Sequence, residues 1–86
     1  MKGTIPALNH EPKKLRGLII PANWDEQGNV IAVALSTFDE EEYLIDKDDK
    51  GPELLPFLHA EVEVLGEVAR QDGKLLIKIK GYRVLK

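Results

Sequence analysis

The sequence has no cysteine, and its aromatic residues are one tryptophan, two tyrosines and two phenylalanines among 86 residues. Without cysteine there is no disulfide framework, no cysteine-ligated zinc site and no thiol nucleophile. The longest uninterrupted aliphatic run, residues 30–35, is far shorter than the ~20 residues that span a bilayer. The first residues also lack the apolar segment of a secretory signal. We therefore expect a cytoplasmic protein with no membrane segment.

A large excess of one charge sign is also absent, since the formal net charge is −3. That value conceals two blocks of opposite sign. Residues 39–49 carry seven acids and one lysine, whereas residues 69–86 carry six basic residues and one acid. A mildly acidic chain is not an obvious nucleic-acid binder. Two separated blocks of charge favour the steering and orientation of a partner.

Recognisable catalytic and metal-binding patterns are missing as well. His10, His59 and the only serine, Ser36, form no readable Ser/His/Asp arrangement, and no phosphate-binding glycine motif is present. Residues 46–57 resemble a calcium loop only faintly, because Lys50 and Phe57 occupy its fifth and twelfth positions. We therefore assign no catalytic residue, no metal ligand and no cofactor, and we expect that the protein is not an enzyme.

The chain divides into an N-terminal tail or irregular lead-in, residues 1–13, and one domain, residues 14–86. Aliphatic and alternating patterns predict strands over residues 15–22, 30–37 and 42–46, a fourth from residue 61, and a fifth over 74–85. Pro21 is expected to end regular pairing or to lie at a bulge. Residues 25–29 form a polar turn. Residues 52–58 suit one or two helical turns, with Pro52 at the first helical position.

Alternation within the strands predicts which side chains face the core. In the second strand, Ile31, Val33 and Leu35 are expected to point inward, which leaves Val30, Ala32, Ala34 and Ser36 outside. In the third strand, Tyr43 and Ile45 share one face. In the fifth strand, Ile77 and Ile79 point inward while Lys78 and Lys80 point outward.

The dipeptide Asp72-Gly73 predicts a hairpin with a two-residue turn between the last two strands. In that register, the numbers of facing residues add up to 145. Val68 then faces Ile77 on the buried side and Glu67 faces Lys78 on the outer side, so patterning and charge agree. After Gly81 the apolar positions shift to Tyr82 and Val84, which predicts a bulge at Gly81.

The predicted order β-β-β-α-β-β, the strand EVEVLGEV (61–68) and the insert GPELLPFL (51–58) resemble the OB-fold, a five-stranded Greek-key barrel. The chain looks like small, free-standing bacterial OB-fold proteins of poorly defined role. The resemblance implies an all-β barrel whose short helix, between strands 3 and 4, closes one end with Leu54, Leu55 and Leu58. An SH3-like barrel is the alternative, but it places its helical turn between strands 4 and 5.

The resemblance also implies a binding face across strands 2 and 3, flanked by the loops between strands 1 and 2 and between strands 4 and 5. A single-stranded nucleic acid needs a basic groove with aromatic platforms there. The acidic block 39–49 opposes phosphates on the second half of this face. The candidate ligand-binding residues are the tryptophan of the first loop and the basic residues of strand 5 and its hairpin: Trp24, Arg70, Lys74, Lys78, Lys80 and Arg83.

The outer face of strand 2 is small and apolar and is a candidate protein interface. Alanine is a poor strand former when it is exposed, so a covering partner would explain its use here. The candidate interface residues are Ala32, Ala34, Ser36 and Leu44. The function expected from the sequence is therefore a small non-enzymatic binding or interaction module with a protein partner or self-association. The alternative is a single-stranded nucleic-acid-binding domain.

Overall fold

The computed structural model describes residues 12–48 and 50–86, so the predicted tail lies almost wholly outside the described residues. Five strands follow one another along the chain: β1 (Lys13–Trp24), β2 (Val30–Thr37), β3 (Glu42–Ile45), β4 (Glu61–Gln71) and β5 (Lys74–Val84). A 3₁₀ helix, Gly51–Phe57, lies between β3 and β4. The predicted order of elements is confirmed.

The strands close into a barrel in the order β1-β2-β3-β5-β4. The pairs β1–β2, β1–β4, β2–β3 and β4–β5 are antiparallel, and β3–β5 is parallel. This is an all-β, OB-like barrel with its short helix between strands 3 and 4, as expected from the sequence. The SH3-like alternative is wrong, because a two-residue turn joins β4 to β5 and leaves no room for a helical turn.

The core lies inside the barrel and receives side chains from every strand and from the helix. Tyr43 and Ile45 of β3 and Ile77 and Ile79 of β5 are buried, as alternation predicts. The buried hydrophobic residues of the central cluster are Ile19, Val33, Leu35, Tyr43, Ile45, Leu54, Val62, Val64, Ile77 and Ile79.

The prediction that Ile31 points inward is wrong, since 46% of this residue is exposed. The β1–β2 register shifts twice near the end of the hairpin, which leaves Ala22 and Ile31 without direct partners. A bulge adds one residue to a strand and reverses the faces beyond it. Val30 therefore packs against the core in place of Ile31. Pro21 lies next to the bulge, as one of the two expectations for it required.

The prediction that Ala34 is exposed on the outer face of β2 is also wrong, because this residue is only 5% exposed. Its neighbours across the sheet are Ile20 on β1 and Leu44 on β3. A methyl group between two larger aliphatic side chains is shielded from water even on an outer face. Ser36, two residues along, is partly buried.

The predicted β4–β5 register is confirmed from Gln71↔Lys74 to Gly66↔Ile79, including Val68 opposite Ile77 and Glu67 opposite Lys78. The register then shifts, and Leu65 pairs with Gly81. The shift falls at Lys80, so the bulge lies one residue before the predicted position. Beyond it, Tyr82 packs against the core, whereas Val84 is 39% exposed.

The helix closes one end of the barrel, but with a different set of leucines from the one predicted. Leu54 is fully buried, Leu58 is partly buried against the core, and Leu55 is 36% exposed. A 3₁₀ helix has three residues per turn, so positions i and i+3 share a face. Phe57 therefore joins Leu54 against the core, and Leu55 turns away from it.

Candidate functional site

A groove of about 950 Å³ crosses β2 and β3 between the tips of the β1–β2 and β4–β5 hairpins. The two central strands contribute small or apolar side chains, among them Ala32, Ala34 and Leu44. The end of β1 contributes Trp24, and the β4–β5 hairpin contributes Arg70 and Lys74. The remaining lining residues are Pro21, Ala22, Asn23, Ile31, Glu41, Glu42, Lys47, Gly73 and Leu75.

Trp24 is the last residue of β1 and is 52% exposed. The turn after it is fixed by Asp25, whose Oδ1 accepts hydrogen bonds from the backbone N–H groups of Gln27 and Asn29, both at 2.9 Å. Its Oδ2 accepts a third from Asn29 Nδ2 at 3.2 Å. Gly28 takes a φ of 87°, which favours glycine. The turn thus holds the indole at the edge of the groove.

The hydrogen bonds within this turn hold the pKa of Asp25 below its ordinary value, and the backbone N–H of Asn29 is the main cause. A lowered pKa in the folded state means stability that is present above the ordinary value and lost as pH falls through the folded pKa. We therefore expect the turn to loosen below the ordinary value of 3.8.

The measurement for this turn is the set of amide shifts of residues 25–29, followed with Trp24 fluorescence between pH 6 and pH 2. In Asp25→Asn, which keeps an oxygen acceptor but cannot titrate, the same signals should stay level across that range. A wild-type turn that shows no change down to pH 2 would contradict the role given to the carboxylate.

Arg70 and Lys74 are placed by the turn of the β4–β5 hairpin. Asp72 and Gly73 have φ values of 52° and 79°, the positive pair that a type I′ turn requires. Gln71 therefore pairs with Lys74, and Arg70 pairs with Leu75. The two cations consequently lie at the hairpin tip, beside the groove.

The charges along the groove have both signs. Glu41 and Glu42 line it at the start of β3, whereas Lys47, Arg70 and Lys74 line it elsewhere. The Tyr43 hydroxyl donates a hydrogen bond to Glu41 Oε1 at 2.9 Å. Burial and this bond raise the pKa of Tyr43, and the positive charge of Arg70 acts weakly in the opposite direction. The groove thus has an acidic side at the start of β3 and a cationic side at the β4–β5 hairpin.

Two sets of residues that the sequence suggested separately meet in this groove. Trp24, Arg70 and Lys74 come from the predicted ligand site, and Ala32, Ala34 and Leu44 come from the predicted protein interface. Ser36 does not line it and pairs with Leu18 and Glu42 instead.

The other predicted basic residues lie outside the groove. Arg83 forms an ion pair with Glu63, with Nη2 and Oε1 2.9 Å apart. Lys78 faces Glu67 across the ladder, and Lys80 lies at the β5 bulge. Distance along β5 thus separates Lys74, at the hairpin, from the other basic residues of the strand. The groove is also lined by residues that the sequence did not suggest for a site, among them Asn23, Lys47 and Leu75. Leu75 could have been found from the hairpin register, which places it directly opposite Arg70.

A second, smaller pocket of about 250 Å³ adjoins the groove where β3 ends. Ile31, Ala32 and Lys47 border both cavities. Its other lining residues are Val33, Ile45, Asp46, Gly51, Pro52 and Leu55. It is a mainly aliphatic pocket between β2 and the 3₁₀ helix.

Comparison of the chain with protein-family models, with curated proteins and with solved structures gives no match. Over residues 12–48 and 50–86, no helix has the length and apolar character needed to cross a membrane. In the same part of the chain, histidine and acidic side chains form no group of three that could hold a metal ion.

Proposed function

We propose that the chain is a small, non-enzymatic binding module and that its ligand lies in the groove. One observation supports this proposal above all: half-exposed Trp24, the cationic side chains of Arg70 and Lys74, and an apolar surface line the same cavity. An apolar concave surface with few placed polar groups is the usual make-up of a ligand site. The OB-like topology supports the same location, because such barrels commonly bind across strands 2 and 3.

This proposal is tested by mapping amide shifts in the isotope-labelled full chain with two probes. One probe is a thymidine octanucleotide, and the other is a pool of randomised octapeptides. We expect one of them to move the amide signals of Ala32, Leu44 and Leu75, which line the groove. If neither probe moves them, or if the shifts lie elsewhere on the barrel, the groove is not the binding site.

A single-stranded nucleic acid is the second candidate ligand, and one observation favours it. Trp24 offers an exposed aromatic face in the same groove as three cations, Lys47, Arg70 and Lys74. Base stacking on aromatic side chains and cationic contacts to phosphates are the two parts of non-specific single-strand binding. Glu41 and Glu42 work against it, because they repel phosphates at the other end.

This candidate predicts a salt-dependent quenching of Trp24, the only tryptophan of the chain. Three phosphate contacts give a slope of log affinity against log salt of about −2, since each contact contributes about −0.7 for single strands. In the double variant Arg70→Ala/Lys74→Ala, one contact remains and the slope should fall to about −0.7. Fluorescence titration between 20 and 200 mM salt measures both.

The matched control is Arg83→Ala, which removes a cation that is paired with Glu63 outside the groove. It should leave the slope at the wild-type value. A titration without quenching at 20 mM salt would eliminate the nucleic-acid candidate. Equal loss of affinity in the control and in the double variant would mean that general charge, and not the groove, attracts the strand.

A second copy of the chain is the alternative to a different protein partner. It predicts that amide shifts at Ala32, Ala34 and Leu44 depend on protein concentration in the absence of any probe. Shifts that stay constant across a hundredfold dilution would exclude self-association through this face. The cytoplasmic location expected from the composition is part of the same proposal and is tested by fractionating cells that express the full chain.

A further inference from the structure

The smaller pocket, between β2 and the 3₁₀ helix, has an aliphatic lining that water can reach. Val33 and Ile45 are 4% and 5% exposed and form its floor. Ile31 and Leu55 are 46% and 36% exposed and form its rim. An aliphatic group that enters the pocket therefore removes apolar surface of the protein, as well as its own, from water.

Two charged residues of opposite sign, Asp46 and Lys47, also line this pocket. The Oδ1 atom of Asp46 accepts a hydrogen bond from the N–H of Asp48 at 2.9 Å. The carboxylate keeps its negative charge in this bond, and its Oδ2 atom is a second acceptor. Lys47 is exposed and brings an ammonium group. A ligand in the pocket therefore meets an anion and a cation that belong to consecutive residues.

The charges around the pocket do not favour a ligand of one sign. Residues 46–50 carry three acids and two lysines. The two glutamates of the groove lie at the start of β3, whereas Asp46 follows its end. Lys47 would attract an anion that Asp46 repels, and the reverse holds for a cation. A zwitterion can place each of its charged groups at the residue of opposite sign.

The backbone beside the two charged residues is held in place. The N–H of Asp46 donates to the carbonyl of Ile77 at 2.9 Å, and that of Lys50 donates to the carbonyl of Ile79 at 3.3 Å. The start of the helix contacts the same segment closely, because a Cβ added to Gly51 would overlap the carbonyl oxygen of Asp46. Binding therefore costs little further ordering of this side of the pocket.

The volume of the pocket, about 250 Å³, limits the size of an occupant. A cavity of about 150 Å³ holds benzene, which is about 25 Å³ for each non-hydrogen atom. On that scale free leucine or isoleucine needs about 225 Å³, and free phenylalanine needs about 300 Å³. The pocket therefore fits a molecule of the size and branching of leucine and is too small for an aromatic amino acid.

We propose that the smaller pocket binds a free branched-chain α-amino acid, such as leucine, with the ligand's side chain on the aliphatic floor, its ammonium group at Asp46 and its carboxylate at Lys47. An α-amino acid carries both charged groups on one carbon atom, which matches two charged residues that are consecutive in the chain. A side chain of a partner polypeptide would use the aliphatic lining but neither charge. This inference goes beyond the groove, since it does not use Trp24, Arg70 or Lys74.

The test is a titration of the isotope-labelled full chain with free L-leucine. We expect the amide shifts of Ile31, Ile45 and Leu55 to move together with one dissociation constant, of about 10 mM or below for a ligand of this size. L-alanine, which lacks the branched end of the side chain, should bind about 50-fold more weakly, because each buried CH₂ group contributes a factor of about four.

Two further ligands separate the charged groups of leucine. 4-Methylpentanoate lacks the ammonium group and 3-methylbutylamine lacks the carboxylate. Asp46→Asn should weaken the binding of leucine and of the amine about threefold, the usual effect of an exposed ion pair, and leave the acid unchanged. Lys47→Met should weaken leucine and the acid by a similar factor and leave the amine unchanged. This crossed pattern shows which residue meets which group.

One substitution and two controls locate the ligand. Leu55→Ala should weaken leucine binding about fivefold, because it removes part of the aliphatic rim. Leu65→Ala removes a 40% exposed leucine from β4 and should leave the affinity unchanged. Both leucines are partly exposed, so both variants should fold. Arg70→Ala/Lys74→Ala separates the two proposals, since it should impair binding in the groove and leave leucine binding intact.

Several outcomes overturn the inference. Amide shifts of the pocket that do not move at five times the expected dissociation constant would show that no amino acid binds there. Equal affinities for leucine, the amine and the acid would show that the charged residues take no part, and tighter binding of phenylalanine would contradict the size limit. Shifts confined to Trp24 and the β4–β5 hairpin would place leucine in the groove.

Discussion

Replacing Leu54 with alanine is expected to lower the free energy of unfolding by about 2–5 kcal/mol, the usual cost of truncating a fully buried leucine. Leu54 has no exposed surface and closes the end of the barrel from the 3₁₀ helix. A domain of this size has a total stability of ~5–15 kcal/mol. The variant should therefore unfold at a much lower urea concentration than the wild type.

Leu55→Ala is the matched control, because it makes the same chemical change one residue along the same helix. Leu55 is 36% exposed, so its truncation leaves a smaller cavity and should cost less than about 1.5 kcal/mol. Urea unfolding followed by circular dichroism measures both. Equal losses in the two variants would contradict the assignment of Leu54 as the residue that closes the barrel.

Gly17→Ala is the second substitution with a large expected effect. A Cβ on Gly17 would lie 2.1 Å from the carbonyl oxygen of Ser36, which is a backbone atom and cannot move without disturbing the β1–β2 ladder. Overpacking of this kind costs about 1–3 kcal/mol and sometimes more. We expect a loss of about 3 kcal/mol, with weaker amide protection around Gly17 and Ser36.

Gly81→Ala is the control for this substitution. Gly81 also lies in a strand, but a Cβ there meets no atom within 4 Å. The change should be neutral or slightly stabilising, because alanine lowers the conformational entropy of the unfolded chain. A thermal unfolding midpoint for Gly17→Ala that equals that of Gly81→Ala would show that the two strands tolerate the extra methyl group.

The sequence predicted the fold well where local rules act without competition. The Asp72-Gly73 turn determines its own hairpin register, because a type I′ turn permits only one pairing of the flanking residues. The alternation of β5 places Ile77 and Ile79 inside because no bulge intervenes before Lys80. These features depend on neighbours in the chain, which a sequence displays directly.

The failures occur where distant parts of the barrel decide the local geometry. Ile31 turns outward because the β1–β2 register shifts near the hairpin end, and no residue pattern in β2 announces that shift. Leu55 turns outward because the helix is 3₁₀ and not α, so a spacing of three replaces the mixed spacing of three and four. Bulges and tight helices adapt a barrel to its closure, which is a tertiary requirement.

The sequence predicted only part of the candidate site. Strand order brings Trp24 and Arg70 to one groove, and that order followed from the resemblance to the OB-fold. The basic run of β5 was assigned to the site as a whole, although a strand of 11 residues extends about 36 Å and presents two faces. Lys74 consequently reaches the groove, whereas Arg83 lies near the far end and pairs with Glu63.

The brevity of β3 has a consequence for how the barrel opens. β3 is paired over three residues with β2 and over three with β5, whereas the other ladders extend over six to ten pairs. Without β3, the remaining strands form one continuous antiparallel sheet in the order β2-β1-β4-β5. Native-state fluctuations begin where the fewest hydrogen bonds must break. We therefore expect the ring to open first at β3, with Tyr43 and Ile45 leaving the core while the four-stranded sheet stays whole.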